Sequence, residues 1–108
     1  MRFGLSENII EEIILILSKY QKIESVIIFG SRAKGNYSNG SDIDLAVKGN
    51  SLSFDEFIQI QTEFDQLELL YKIDFIDYTK INEPALKEHI DSVGKFFYKS
   101  DKSIHLSI

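Results

Sequence analysis

The chain contains no cysteine and no tryptophan, a single proline and only two histidines among its 108 residues. Without cysteine there is neither a disulfide framework nor a thiolate zinc site. No run approaches the roughly 20 apolar residues that a membrane span needs. The opening "MRFGLSENIIEEIILILSKY" is broken by Asn8, Glu11 and Glu12 and has no small-residue cleavage site, so it does not read as a signal peptide. Positive charge is also scarce. A net charge of -5 leaves no basic face to grip duplex DNA or long RNA. A nucleotide is not excluded, because metal ions offset its charge locally. The expectation is a cytoplasmic globular domain with no membrane association and no direct nucleic-acid binding.

Hydrophobic residues make up 44% of the chain, and their spacing is informative. Ile9, Ile10, Ile13, Ile14 and Leu17 fall at helical intervals, predicting a helix from Ser6 to Tyr20. "IESVIIFG" reads as a buried strand ended by glycine, "SRAKG" as one helical turn, and "NYSNGS" as a loop. "DIDLAV" is a second strand. Ser53 and Glu56 have capping-box spacing ahead of a second long helix predicted to reach about Leu70, with Phe54, Phe57 and Phe64 taken as core. "YKIDFIDY" is a third strand. "NEPALKEHIDSVG" is a third helix with Pro84 in its first turn, and "KFFY" is a short last strand. This order predicts an α+β fold, a small mixed sheet with helices packed on one face. The domain is expected to occupy residues 1–98, with 99–108 as a C-terminal tail.

Strand parity then picks out the chemistry. Side chains at i and i+2 share a face, so Asp42 and Asp44 point the same way as Ala46. In the third strand, Asp74 lies on the face opposite Ile73 and Phe75. If both apolar faces meet the helices, three carboxylates emerge together. Such a set repels itself unless a cation intervenes, and all-oxygen ligands favour Mg²⁺ or Mn²⁺. Two ions bridged by aspartates are a recurrent device for phosphoryl chemistry. Upstream, Gly30 allows close backbone approach and Ser31 opens a helical turn suited to an anion. Arg32 and Lys34 add positive charge there. The joint pattern G-S-x10-D-x-D arises by chance in roughly one chain in a thousand at average residue usage.

"GSRAKGNYSNGSDIDLAV" resembles the signature of the nucleotidyltransferase superfamily that includes DNA polymerase beta. More closely, the chain is similar to the minimal nucleotidyltransferase (MNT) domains, antitoxins paired with HEPN-domain toxins. The resemblance implies that Gly30, Ser31 and, in a supporting role, Arg32 bind the nucleotide. It implies that Asp42, Asp44 and Asp74 are the metal ligands and catalytic carboxylates, with two Mg²⁺ ions when ATP is bound. The implied reaction is AMP transfer from ATP to a tyrosine hydroxyl of a HEPN toxin. A toxin-binding antitoxin without activity and an enzyme acting on a small hydroxylated molecule are the alternatives. So short a chain implies a protein partner or self-association, as a homodimer or a hetero-oligomer with the toxin. Asp77 falls on the apolar side and suits a capping role, while His89 and His105 stand alone in the sequence.

Overall fold

The computed structural model describes residues 2–100. Helix α1 (Glu7–Ser18) starts at the Ser6 N-cap, whose side chain accepts a hydrogen bond from the Ile9 amide. Strand β1 (Ile23–Phe29) runs directly into the five-residue helix α2 (Gly30–Lys34), which Gly35 closes in the left-handed conformation. After a loop come β2 (Ile43–Gly49), α3 (Phe54–Asp65) and β3 (Ile73–Asp77). A 3-10 turn (Tyr78–Lys80), α4 (Pro84–Val93) and β4 (Lys95–Lys99) complete the order. The strands form one sheet in the order β3-β2-β1-β4. β1 is antiparallel to both β2 and β4, whereas β2 and β3 are parallel, joined through α3. The sheet is therefore mixed and the class α+β, as the pattern predicted. None of the described helices is long and apolar enough to cross a membrane.

β1 is central and apolar on both sides, which explains its nearly unbroken hydrophobic sequence. On one face, Ile10, Ile13 and Leu17 of α1 and Ile60 and Phe64 of α3 pack against Val26, Ile28, Leu45, Val47 and Phe75. Glu63 of α3 ties the two helices together by accepting hydrogen bonds from Lys19 and Tyr20. The expectation of helices on one face holds for this long pair. α4 takes the other face, where Ile90 packs with Ile27, Phe29 and Ala46. This shorter helix follows β3 and leads into β4, so its chain crosses the sheet from one edge to the other.

α3 ends at Asp65, short of the Leu70 that helical periodicity predicted. Glu68 turns at φ 52, which lets Leu67 and Leu69 fold back onto the core and leaves Leu70 95% exposed. Phe64 is core and Phe57 packs against it, but Phe54, at the first position of α3, is 68% exposed. The capping box is complete: the Glu56 amide donates to Ser53 Oγ at 3.1 Å, and Ser53 N donates to Glu56 Oε1 at 3.2 Å. Ser53→Ala is expected to lower the unfolding free energy by about 1 kcal/mol, read from the urea midpoint. Asp77 caps the 3-10 turn by accepting from the Thr79 amide and hydroxyl. The tail from 101, including His105, lies outside the described residues.

Candidate functional site

Sheet pairing sets Asp44 directly beside Asp74 on the adjacent parallel strand and opposite Phe29 on β1. Both carboxylates share the face that α4 covers only in part. Asp42 lies just before β2, exposed at the same end. The three aspartates are electrostatic neighbours. Burial, then the charge of Asp74, then that of Asp42 push the Asp44 carboxyl above the usual range. His89 and Arg32 pull it in the opposite direction.

The glycine-serine turn meets this row from β1. Gly30 adopts φ +73, and a Cβ there would collide with Asp44 Oδ2. Only a residue without a side chain lets the turn and the carboxylate approach so closely. Ser31 is the second residue of α2, half-buried, and Phe29 at the N-cap offers no side-chain bond to the first amides. The backbone that leaves β1 therefore stands beside Asp44 and enters a helical turn with no side-chain cap.

Arg32, whose place after the glycine-serine pair suggested a supporting nucleotide contact, is engaged by groups of the protein itself. It is 2% exposed. Its Nε and Nη2 both donate to the Ser41 carbonyl, at 3.1 and 2.9 Å, and Nη1 donates to the Phe3 carbonyl at 2.9 Å. The guanidinium also lies against the rings of Tyr37 and Tyr71, 5.3 and 4.7 Å from their centroids. Lys34 is exposed. Tyr37 thus belongs to the packing around Arg32.

His89 was missed. The sequence offers no partner at helical spacing, yet α4 lays its ring edge-on to Phe29, centroids 6.1 Å apart, within electrostatic reach of Asp44. A separate groove of about 590 Å³ is lined by Phe54, Phe57, Phe75, Ile81 and Leu86, among others, and contains none of the three aspartates. It is not the carboxylate site, whose groups project from an open sheet end.

The donor set is hard and anionic, which fits Mg²⁺ or Mn²⁺. Among the described residues, no group of three or more acidic, histidine or cysteine side chains is placed so that it could hold a metal ion by itself. Mg²⁺ is ordinarily held by one or two carboxylates, water and substrate phosphates rather than by an all-protein cage. Burial first, and the neighbouring carboxylates second, raise the Asp44 carboxyl, and a positive charge nearby would oppose the second of these effects.

Known proteins resemble this chain in sequence and in fold. The model of the polymerase beta nucleotidyltransferase family matches residues 11–103. "Putative protein adenylyltransferase MJ1379" of Methanocaldococcus jannaschii is 34% identical over 79 residues, 70% of this chain and 78% of that protein. A toxin-antitoxin crystal structure with AMP-PNP superposes with a TM-score of 0.69 at 22% identity, covering 90% of this chain and 78% of the other. A complex of a tri-AMPylated Shewanella oneidensis HEPN toxin with an MNT antitoxin superposes at 0.61 with 21% identity, covering 90% and 75%. These two structures share the fold; the family match and the archaeal relative extend the likeness to sequence. A nucleotidyltransferase fold, its glycine-serine turn and its row of aspartates thus coincide in one chain, which belongs to the polymerase beta nucleotidyltransferase family.

Proposed function

We propose that this nucleotidyltransferase moves AMP from ATP to a tyrosine hydroxyl of a HEPN-type toxin and so acts as its antitoxin, in the cytoplasm and with Mg²⁺. The observation that carries the reading is the close approach of Gly30 to Asp44, with Asp74 alongside on the next strand. Relatives named as protein adenylyltransferases support the adenylyl group and a protein acceptor. Fold neighbours that are a toxin-antitoxin complex with AMP-PNP and an MNT antitoxin with a HEPN toxin support the partner.

In this mechanism Gly30 and Ser31 bring backbone against the phosphate tail, and Asp42, Asp44 and Asp74 would hold two divalent ions. The chemistry those ions would supply is neutralisation of phosphate charge and polarisation of the α-phosphate. Asp74 accepts the proton of the incoming tyrosine hydroxyl. The tyrosine oxygen forms a bond to the α-phosphorus as the bond from that phosphorus to the bridging oxygen breaks, and pyrophosphate leaves with its electrons. The net charge of -5 disfavours a nucleic-acid acceptor.

The test incubates the purified protein with Mg²⁺, ATP labelled at the α-phosphate and a HEPN-type toxin as partner. Label on that partner, a mass gain in AMP units on a tyrosine peptide, and loss of both with Asp42→Ala are expected. An unlabelled partner overturns the reading. Neutralisation of the toxin by the Asp42→Ala, Asp44→Ala double variant would instead establish a binding antitoxin.

A further inference from the structure

We infer that Arg32 is a positioning residue that holds the loop between the two halves of the site, and with it Asp42, at a set distance from the Gly30–Ser31 turn. This rests on the nucleotidyl-transfer reading above. A buried guanidinium is costly unless its donors are matched, and here the matching groups are chosen by place. The Ser41 carbonyl, which accepts two of the three hydrogen bonds, belongs to the peptide unit that carries Asp42. Arg32 itself follows Ser31. One side chain therefore spans the ten residues that separate the phosphate turn from the first carboxylate, bypassing the exposed loop between them.

The remainder of the clamp fixes the guanidinium plane. Tyr37, from the loop, and Tyr71, from the approach to β3, each present a ring to it. The Phe3 carbonyl takes Nη1 from a tight N-terminal turn in which Phe3 and Gly4 sit at φ 57 and 72. A Cβ at Gly4 would collide with Tyr37 and press on Arg32 Nη1. The fork geometry is what lysine lacks: a single ammonium cannot donate two parallel bonds to one carbonyl while lying flat between rings.

Arg32→Lys keeps the charge and the stem and removes the fork; Arg32→Gln serves should lysine fail to fold. Groups that orient metal ligands from behind alter affinity or activity by about 10–100-fold when removed. Accordingly, kcat for transfer is expected to fall by about 10–100-fold, with a change in KM for ATP of less than about 3-fold. Mn²⁺ affinity with AMP-PNP present, followed by electron paramagnetic resonance, is expected to weaken by about 10-fold or more on the same grounds. In the ligand-free protein, amide exchange should accelerate across residues 36–43 and stay slow in β1. Partial recovery of kcat in Arg32→Gln with added guanidinium is also expected.

Wild-type kcat and Mn²⁺ affinity in Arg32→Lys, or unchanged exchange across 36–43, overturns the inference and leaves the functional reading standing. So does a loss of activity that follows only the fraction unfolded. A wild-type protein that neither binds Mn²⁺ nor transfers a nucleotide overturns the functional reading, and the positioning role with it.

Discussion

Asp44→Asn is expected to abolish nucleotide transfer while raising the melting temperature of the metal-free protein. Asparagine keeps the size of the side chain and one oxygen but removes the charge that a divalent ion requires. The loss should reach about 10²–10³-fold, the scale for removing one group that stabilises transition-state charge. The gain in stability has the opposite origin. Burial and the charges of Asp74 and Asp42 raise the Asp44 carboxyl, so the folded chain binds that proton more tightly than the unfolded chain does. The stability this contributes is fully present below the ordinary carboxylate range and is lost as pH rises through the raised value. At neutral pH the ionised Asp44 is thus a liability that asparagine removes.

Glu7, Glu56 and Glu63 behave the other way. Their carboxyls are lowered chiefly by hydrogen bonds from Arg2, Ser53 and Lys19 respectively, so the stability they contribute is lost as the solution becomes acidic. Melting temperature against pH should accordingly rise slightly on leaving neutrality toward acid, then fall. Asp44→Asn should erase the rise and keep the fall. Calorimetry across this range, with and without Mg²⁺ and AMP-PNP, reads both effects. A variant that melts below wild type at neutral pH without metal, or that still transfers AMP, contradicts the argument.

Gly30→Ala and Gly35→Ala separate strain in the backbone from damage to the site. Both glycines lie in the left-handed region, at φ +73 and +87. An alanine in either place costs about 1–2 kcal/mol from the clash of its Cβ with the following carbonyl. Around Gly35 nothing lies within 4 Å of the added methyl, whereas at Gly30 the methyl occupies the place of Asp44 Oδ2. Gly35→Ala should therefore be destabilised yet retain nearly wild-type transfer when assayed well below its melting temperature. Gly30→Ala should lose about 100-fold or more in turnover, because a displacement of about 1 Å at a reacting centre has that effect. Equal activities for the two variants, measured by pyrophosphate release at matched folded fractions, would dismiss the contact between Gly30 and Asp44 as a requirement for transfer.

The positions of the carboxylates were legible because strand parity is local. Asp44 and Asp74 each stand opposite an apolar alternation, and the parallel register brings those two positions level. Ser53 and Asp77 were legible for a similar reason: each cap reaches an amide two or three residues away. The end of α3 was less so. Its periodicity continues past Asp65, and it is the packing of Leu67 and Leu69 that turns the chain. The partners of Arg32 were not legible, since a basic residue after a glycine-serine pair reads as a phosphate contact in the sequence alone. Those partners, Phe3 and Tyr71, lie far from it along the chain.

By itself the sequence determined the element order, the glycine-serine turn and the shared face of the aspartates, all set by contacts within a few residues or by the period of two along a strand. Tertiary structure alone decided that α4 lies on the carboxylate face and carries His89 to Phe29 beside Asp44. It also decided that Arg32 is a buried clamp and that Gly30 touches Asp44. Each of these depends on segments distant in the chain meeting across the sheet. Their meeting is governed by which apolar surfaces pack together, and no spacing along the sequence records it.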